Sequence, residues 1–147
     1  MDVALIWLHV SGNLVWIGAI LAVGVAILAS VASAGGPQGS AEARKAGAEI
    51  AVAIYRRLAV PAFVVSFVSG AIRLLQEPAF YLKQHHWMHA KLPLALAVIA
   101  LHHVIGARAK KLARGTVQDA GPTAILTVVL AVSALGAAFF AISKLPN

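Results

Sequence analysis

A few ionisable side chains interrupt the long apolar runs of this chain, and they are the places where chemistry could occur. His9 lies in the first run, Arg73 near the end of the second, and His89 and Lys91 at the start of the third. Ionisable residues are costly inside a bilayer, so they usually face the interior of a bundle and mark a site. A neutral imidazole can bind a metal, and a cation can pair with a carboxylate-bearing ligand.

One face of the first run carries several polar or small residues. His9, Gly12, Asn13 and Trp16 fall at helical spacing and therefore lie on the same side of a helix. The face combines an imidazole, a small residue beside which a broad ligand could approach, and an amide. An ordinary helix–helix seam with one hydrogen-bonded histidine would show the same pattern, so that interpretation stays open.

These residue types match the requirements of haem b in a membrane bundle. One or two imidazoles from facing helices bind the iron, small residues admit the macrocycle, and Arg or Lys pairs with the propionates. The chain has a candidate for each role: His9 and His89 for the iron, Gly12 for the space, and Arg73 and Lys91 for the propionates. Two histidines at one depth could equally bind zinc or copper, and an arginine at a helix end could simply reach lipid phosphate.

A second histidine pair, His102 and His103, lies on the predicted third helix, roughly 20 Å beyond His89 at the usual helical rise. The first run has no histidine at that depth to act as a partner. We interpret the pair as interfacial residues beside a basic tract, with a second metal site or a proton-transfer site as the alternative.

The composition places the chain in a membrane. Hydrophobic residues make up 61% of the 147 residues, charged residues only 12%, and the mean hydropathy is +0.86. The net charge of +7 lies in short loops beside the apolar runs, which indicates topology and lipid head groups rather than nucleic acid. Because the chain has no cysteine, thiolate ligands, iron–sulfur clusters and c-type haem attachment are excluded.

The apolar runs predict an all-α fold, a four-helix transmembrane bundle that forms a single domain over residues 1–147. The expected spans are about 3–32, 55–76, 87–105 and 122–143. We read the first run as a span rather than a cleaved leader, because no cationic segment precedes it. Residues 42–57 are expected to form a cationic, partly helical connector, and Pro61 to mark a kink or notch. The fourth span has no charge before Lys144, so we assign it packing and no chemistry.

The loop charges predict an orientation. The loops after the first and third spans carry four Lys or Arg each, whereas the loop after the second span and the C-terminus carry one each. By the positive-inside rule, both termini then lie on the non-cytoplasmic side. His9, Arg73, His89 and Lys91 would all lie in the outer half of the bilayer, although they come from three helices.

Several short motifs together carry a family resemblance. They are Trp7-Leu8-His9 with Trp16 and Gly18, Arg56-Arg57-Leu58 with Pro61-Ala62 and Gly70, Trp87-Met88-His89-Ala90-Lys91-Leu92, and His102-His103 followed by Lys110-Lys111-Leu112-Ala113. In these motifs the chain resembles the HemJ-type protoporphyrinogen IX oxidases, a four-helix membrane family that overlaps in sequence with the CopD-type copper-resistance proteins. The resemblance covers most of the first three spans and is weak in the fourth.

The resemblance implies an oxidoreductase with haem b that oxidises protoporphyrinogen IX to protoporphyrin IX and passes electrons to quinone. His9 and His89 would correspond to the family's two histidines and act as haem ligands. His9, Arg73 and Lys91 would serve catalysis, and Gly12, Asn13 and Trp16 would line the cofactor. The expected location is the inner membrane of a bacterium, with a tetrapyrrole, quinone and the lipid bilayer as partners.

Two other functions stay open at this stage. A CopD-like protein would use the same histidines for copper, although Met1 and Met88 are the only methionines and copper(I) prefers such soft ligands. Alternatively, the chain could be a haem-binding electron-transfer or anchor subunit of a larger membrane complex. Because a bundle of this size buries little surface by itself, a homodimer also stays open.

Overall fold

A computed structural model describes residues 3–36 and 38–144, and all regular structure in them is helical. Five α-helices follow one another: α1 (Val3–Ser33), α2 (Ala41–Ile54), α3 (Val60–Gln76), α4 (Trp87–Ala113) and α5 (Thr123–Ser143). A π-helical turn, Tyr55–Ala59, joins α2 to α3 without a break, and a second one, Phe80–Gln84, lies between α3 and α4. In the described ranges, four helical segments are long and apolar enough to cross a membrane, which confirms an all-helical bundle of four spans.

The second span is longer than the sequence predicts. Residues 42–57, expected as a connector, belong to one helix that runs from Ala41 to Gln76. Ser40 starts this helix, because its hydroxyl accepts a hydrogen bond from the Ala43 N–H. At ~1.5 Å per residue the segment is roughly 54 Å long, so it exceeds a hydrocarbon core of about 30 Å. The α2 end therefore projects beyond the apolar layer.

The irregularity expected at Pro61 is present one turn earlier. Proline has no N–H to complete the α-helical ladder, and the π-helical turn Tyr55–Ala59 comes directly before it. The third helix runs beyond the expected end near residue 105 to Ala113, so that it includes Arg108, Lys110 and Lys111.

Helix α1 lies at the centre of the bundle and contacts α2, α3, α4 and α5. Its buried side chains Ile20, Val23 and Ile27 form the core together with Ile105 of α4 and Leu130 of α5. Helix α4 packs along α5 and against α2, whereas α3 has no extended backbone contact with α4 or α5. The position of α1 means that residues on its α3-facing side are buried or partly buried against α3.

Small residues set the distances between the helices. A Cβ on Gly24 would lie 2.2 Å from the Thr127 hydroxyl of α5, and a Cβ on Gly106 would enter the Tyr55 ring. Thr127 therefore serves packing, as the sequence predicts for the fourth span. Long apolar side chains on the outside of α5, such as Val132, Leu135 and Ile142, are exposed and available to lipid.

Candidate functional site

His9 sits on the seam between α1 and α3, held by both helices. Its Nδ1 lies 2.8 Å from the Ser66 carbonyl oxygen, so Nδ1 donates a proton to that oxygen. The Asn13 amide Nδ2, one turn further along α1, lies 3.2 Å from His9 Nε2 and donates to it. The neutral imidazole thus carries its proton on Nδ1 and has the lone pair on Nε2. Histidines that bind metals commonly have this arrangement, in which a backbone carbonyl orients the ring.

Two glycines bring the helices together around this ring. A Cβ on Gly12 would lie 2.9 Å from the Ser66 backbone nitrogen, and a Cβ on Gly70 would lie 2.6 Å from His9 Cε1. The sequence predicts space for a macrocycle beside Gly12, but the α3 backbone fills that space. The face formed by His9, Gly12 and Asn13 is therefore a close helix–helix seam.

Two cations approach His9 from the other helices. Arg73, near the end of α3, and Lys91, in the first turns of α4, lie close enough to His9 and to each other for their charges to interact. Arg73 donates a hydrogen bond to the Tyr81 hydroxyl, and its guanidinium lies 5.9 Å from the centre of the Tyr81 ring. The Lys91 ammonium lies 5.7 Å from the Trp87 ring centre. Three of the residues expected to form one site therefore lie within electrostatic range of one another, each on a different helix.

His89 does not join this group. Its side chain is exposed, and its Nε2 donates to the Leu82 carbonyl oxygen at 2.8 Å. The neighbouring ring is that of His86, 5.9 Å away between centres. His89 thus stabilises the π-helical turn before α4 instead of facing His9, because two residues of separation turn it away from Lys91 on the helix.

Trp16 contacts a different histidine from the one the sequence suggests. Its indole Nε1 donates to Nδ1 of His102 at 3.0 Å, deep in the bundle. His102 is fully buried, its ring stacks on Phe63 at 5.1 Å between centres, and Tyr55 lies 5.0 Å away. The interpretation of His102 as an interfacial residue is therefore wrong, whereas His103 is exposed. Within the described parts of the chain, His102 Nε2 has no hydrogen-bond partner.

The sequence contains a signal for the contact between Trp16 and His102. A tryptophan inside a bilayer must place its single N–H on an acceptor, because no water is available there. Trp16 lies near the middle of α1 and His102 near the middle of α4, so His102 is a candidate acceptor. Whether Trp16 faces His102 depends on how α1 is rotated about its axis, and the spacing of residues along the chain does not give this rotation.

Among residues 3–36 and 38–144, no three His, Cys, Asp or Glu side chains come together as a metal-binding group. A comparison of the chain with protein-family models, with curated proteins and with solved structures finds no match to any of them. The resemblance to HemJ-type and CopD-type proteins therefore rests on the residues themselves.

Proposed function

We propose that this protein is a haem b-containing membrane oxidoreductase that oxidises protoporphyrinogen IX to protoporphyrin IX and passes the electrons to quinone. The observation that carries the proposal is the group formed by His9, Arg73 and Lys91 at one end of the bundle. It combines an imidazole with two cations, the chemistry that a tetrapyrrole with propionate groups requires.

The cations favour a ligand with carboxylates. The described parts of the chain contain one ion pair, Arg108 with Asp119, so neither Arg73 nor Lys91 has a carboxylate partner among the described residues. Charges in a membrane protein are costly without a partner. A ligand that brings two propionates would neutralise both cations and be oriented by them.

The donor set fits haem b with one ligand from the protein. The Ser66 carbonyl orients His9 and keeps its proton on Nδ1, so Nε2 can bind iron once the Asn13 amide rotates away. Because His89 uses Nε2 to donate to the Leu82 carbonyl oxygen, Nδ1 is the nitrogen that could act as a second ligand, and the exposed ring would have to turn towards His9 to do so. Bound haem would supply the one-electron chemistry that connects the substrate to a quinone.

The remaining residues of the site bind and orient. Tyr81 fixes the guanidinium of Arg73 through a hydrogen bond, and the Trp87 ring holds the ammonium of Lys91. A tetrapyrrole entering from the bilayer would place its propionates on these two cations. The macrocycle is oxidised in successive two-electron, two-proton steps, and each step reduces one quinone to quinol.

The proposal includes a location and an orientation. We propose the inner membrane of a bacterium, with both termini on the non-cytoplasmic side and the basic loops inside, as the charge asymmetry favours. The group around His9 then lies in the outer half of the bilayer. A copper-handling function receives less support, because Arg73 and Lys91 repel a metal cation and Met88 is buried beside Tyr81 and Trp87.

The experiment is the absorption spectrum of detergent-purified protein after expression with ample haem. We expect a Soret band for the wild type and its loss in His9→Gln, which removes the imidazole but keeps a hydrogen-bonding side chain. His89→Ala should keep the band, as should His86→Ala, an exposed control one turn away. With protoporphyrinogen IX and a quinone present, protoporphyrin fluorescence should appear in the variants that keep the Soret band and be lost in His9→Gln.

A wild type without a Soret band would remove the haem proposal. Loss of the band in His89→Ala but not in His86→Ala would make His89 an iron ligand. Spectra and activity unchanged in every variant, with only reduced assembly, would support an anchor subunit instead.

A further inference from the structure

The end of the bundle opposite His9 contains a cleft that the proposed oxidoreductase does not use. It has a volume of about 310 Å³ and lies between the start of α2 and the segment that follows α4. Arg44, Lys45 and Arg114 line it, together with one acidic residue, Glu42. The charge of the lining is therefore positive.

Arg44 is the unusual member of this lining, because its charge is buried. The side chain is only 6% exposed, and its Nη1 donates to the Gly36 and Gly39 carbonyl oxygens. These bonds fix the turn between α1 and α2. Both hydrogen bonds use the same guanidinium nitrogen, Nη1, and the carbonyl oxygens that accept them have no net negative charge.

Arg44 forms no ion pair with a carboxylate of the described residues. Within residues 3–36 and 38–144 the single ion pair is that of Arg108 with Asp119. A buried charge is normally paired, since removing it from water is costly. A guanidinium also binds phosphate oxygens well, because its N–H groups form a planar fork.

The other residues of the lining indicate which kind of phosphate-bearing anion would fit the cleft. Lys45 and Arg114 are exposed at the rim, where they add two further cations. Leu112, which is buried, and Val117 give the cleft an apolar part. A phosphate with an attached acyl chain matches both parts, whereas free phosphate matches the cations alone.

We propose that this cleft binds a phosphate-bearing anion, held by Arg44, Lys45 and Arg114. The source with the matching apolar part is the head group of an anionic phospholipid, and the other source is phosphate in solution. The site is separate from His9 and does not depend on the oxidoreductase proposal.

The test is thermal unfolding of the full chain in neutral detergent, titrated with phosphatidylglycerol, phosphatidylcholine or inorganic phosphate. We expect phosphatidylglycerol to raise the unfolding temperature more than phosphatidylcholine does. In Lys45→Ala/Arg114→Ala the apparent affinity should fall about tenfold or more, because each charged hydrogen bond lost is worth that much. Both residues are exposed, so the variant should fold, whereas Arg44→Lys carries a folding risk.

The matched control is Arg56→Ala/Arg57→Ala, which removes the same charge from two exposed arginines outside the cleft. It should bind phosphatidylglycerol like the wild type. Stabilisation by inorganic phosphate alone, lost in the cleft variant, would support the site and assign it to soluble phosphate. Equal weakening in both double variants, or no stabilisation by any of the three probes, would overturn the proposal.

Discussion

The two histidines packed inside the bundle differ in what their second ring nitrogen contacts. His9 has an amide beside Nε2 and two cations nearby, so a ligand could replace the amide and be oriented by the charges. His102 accepts the Trp16 N–H on Nδ1 and is enclosed by aromatic rings, and among the described residues a single Lys or Arg, Lys110, lies within range of its charge. The local partners, rather than the residue type, therefore separate a candidate site from a structural contact.

The bond between Trp16 and His102 should contribute measurably to stability. Trp16→Phe keeps an aromatic ring but leaves the fully buried His102 Nδ1 without its donor. We expect a loss of about 1–3 kcal/mol, the usual cost of an unsatisfied buried polar group. The measurement is thermal unfolding in detergent. Trp7→Phe, at a side chain that is 65% exposed, is the control and should leave the unfolding temperature unchanged. Equal effects of the two changes would contradict this role.

At the scale of the helices, glycine determines how closely α1 and α3 approach. The Gly12 contact with the Ser66 backbone lets the Ser66 carbonyl reach His9 from the neighbouring helix. The geometry of the candidate site thus depends on a helix crossing as well as on the ionisable residues. This crossing also explains why the ring of His9 is only partly accessible.

Gly12→Ala should separate α1 from α3. The new Cβ would lie 2.9 Å from a backbone atom, which cannot rotate away as a side chain would. Overpacking of this kind costs about 1–3 kcal/mol, and it should also weaken the bond from His9 to Ser66. Thermal unfolding checks the first effect, and the haem spectrum the second.

Gly18→Ala provides the comparison on the same helix. Its Cβ would meet nothing within 4 Å, so unfolding should stay the same or occur at a slightly higher temperature, since alanine favours helix. If Gly12→Ala were as stable as Gly18→Ala, the close crossing would not exist in the membrane.

At the scale of the whole molecule, the two ends of the bundle have different chemistry. One end brings together His9, Arg73 and Lys91, and the other carries the basic loops and the cleft at Arg44. A membrane could hold the chain in either direction by length and apolar composition alone. The loop charges favour the direction that places the basic end in the cytoplasm.

The absence of cysteine from the chain makes this orientation directly testable. We expect Gln84→Cys, before α4, to react with a membrane-impermeant maleimide in intact cells. Thr116→Cys, in the loop after α4, should react only after lysis. Both side chains are exposed in the structure. The reverse labelling pattern would contradict the proposed orientation, and with it the outer-leaflet position of the site.

The sequence by itself predicted the membrane class, the four apolar segments and the grouping of His9, Arg73, His89 and Lys91 at one depth, and the structure places all of these residues except His89 within electrostatic range of one another. The sequence could do so because apolar length, charge and helical spacing are local properties of the chain. It did not reveal that residues 42–57 continue the second helix. Their cations suggested a connector, whereas packing of α2 on α1 and α4 stabilises a helix there.

Only the tertiary structure decided which partners the polar groups have. The rotation of α1 places Trp16 on His102, and the turn before α4 draws His89 to the Leu82 carbonyl instead of to His9. Burial of Arg44 without a carboxylate is likewise a property of three segments packed together. Such contacts depend on how each helix rotates about its axis and on where helices cross. Packing across the whole bundle sets both, and no single stretch of sequence encodes them.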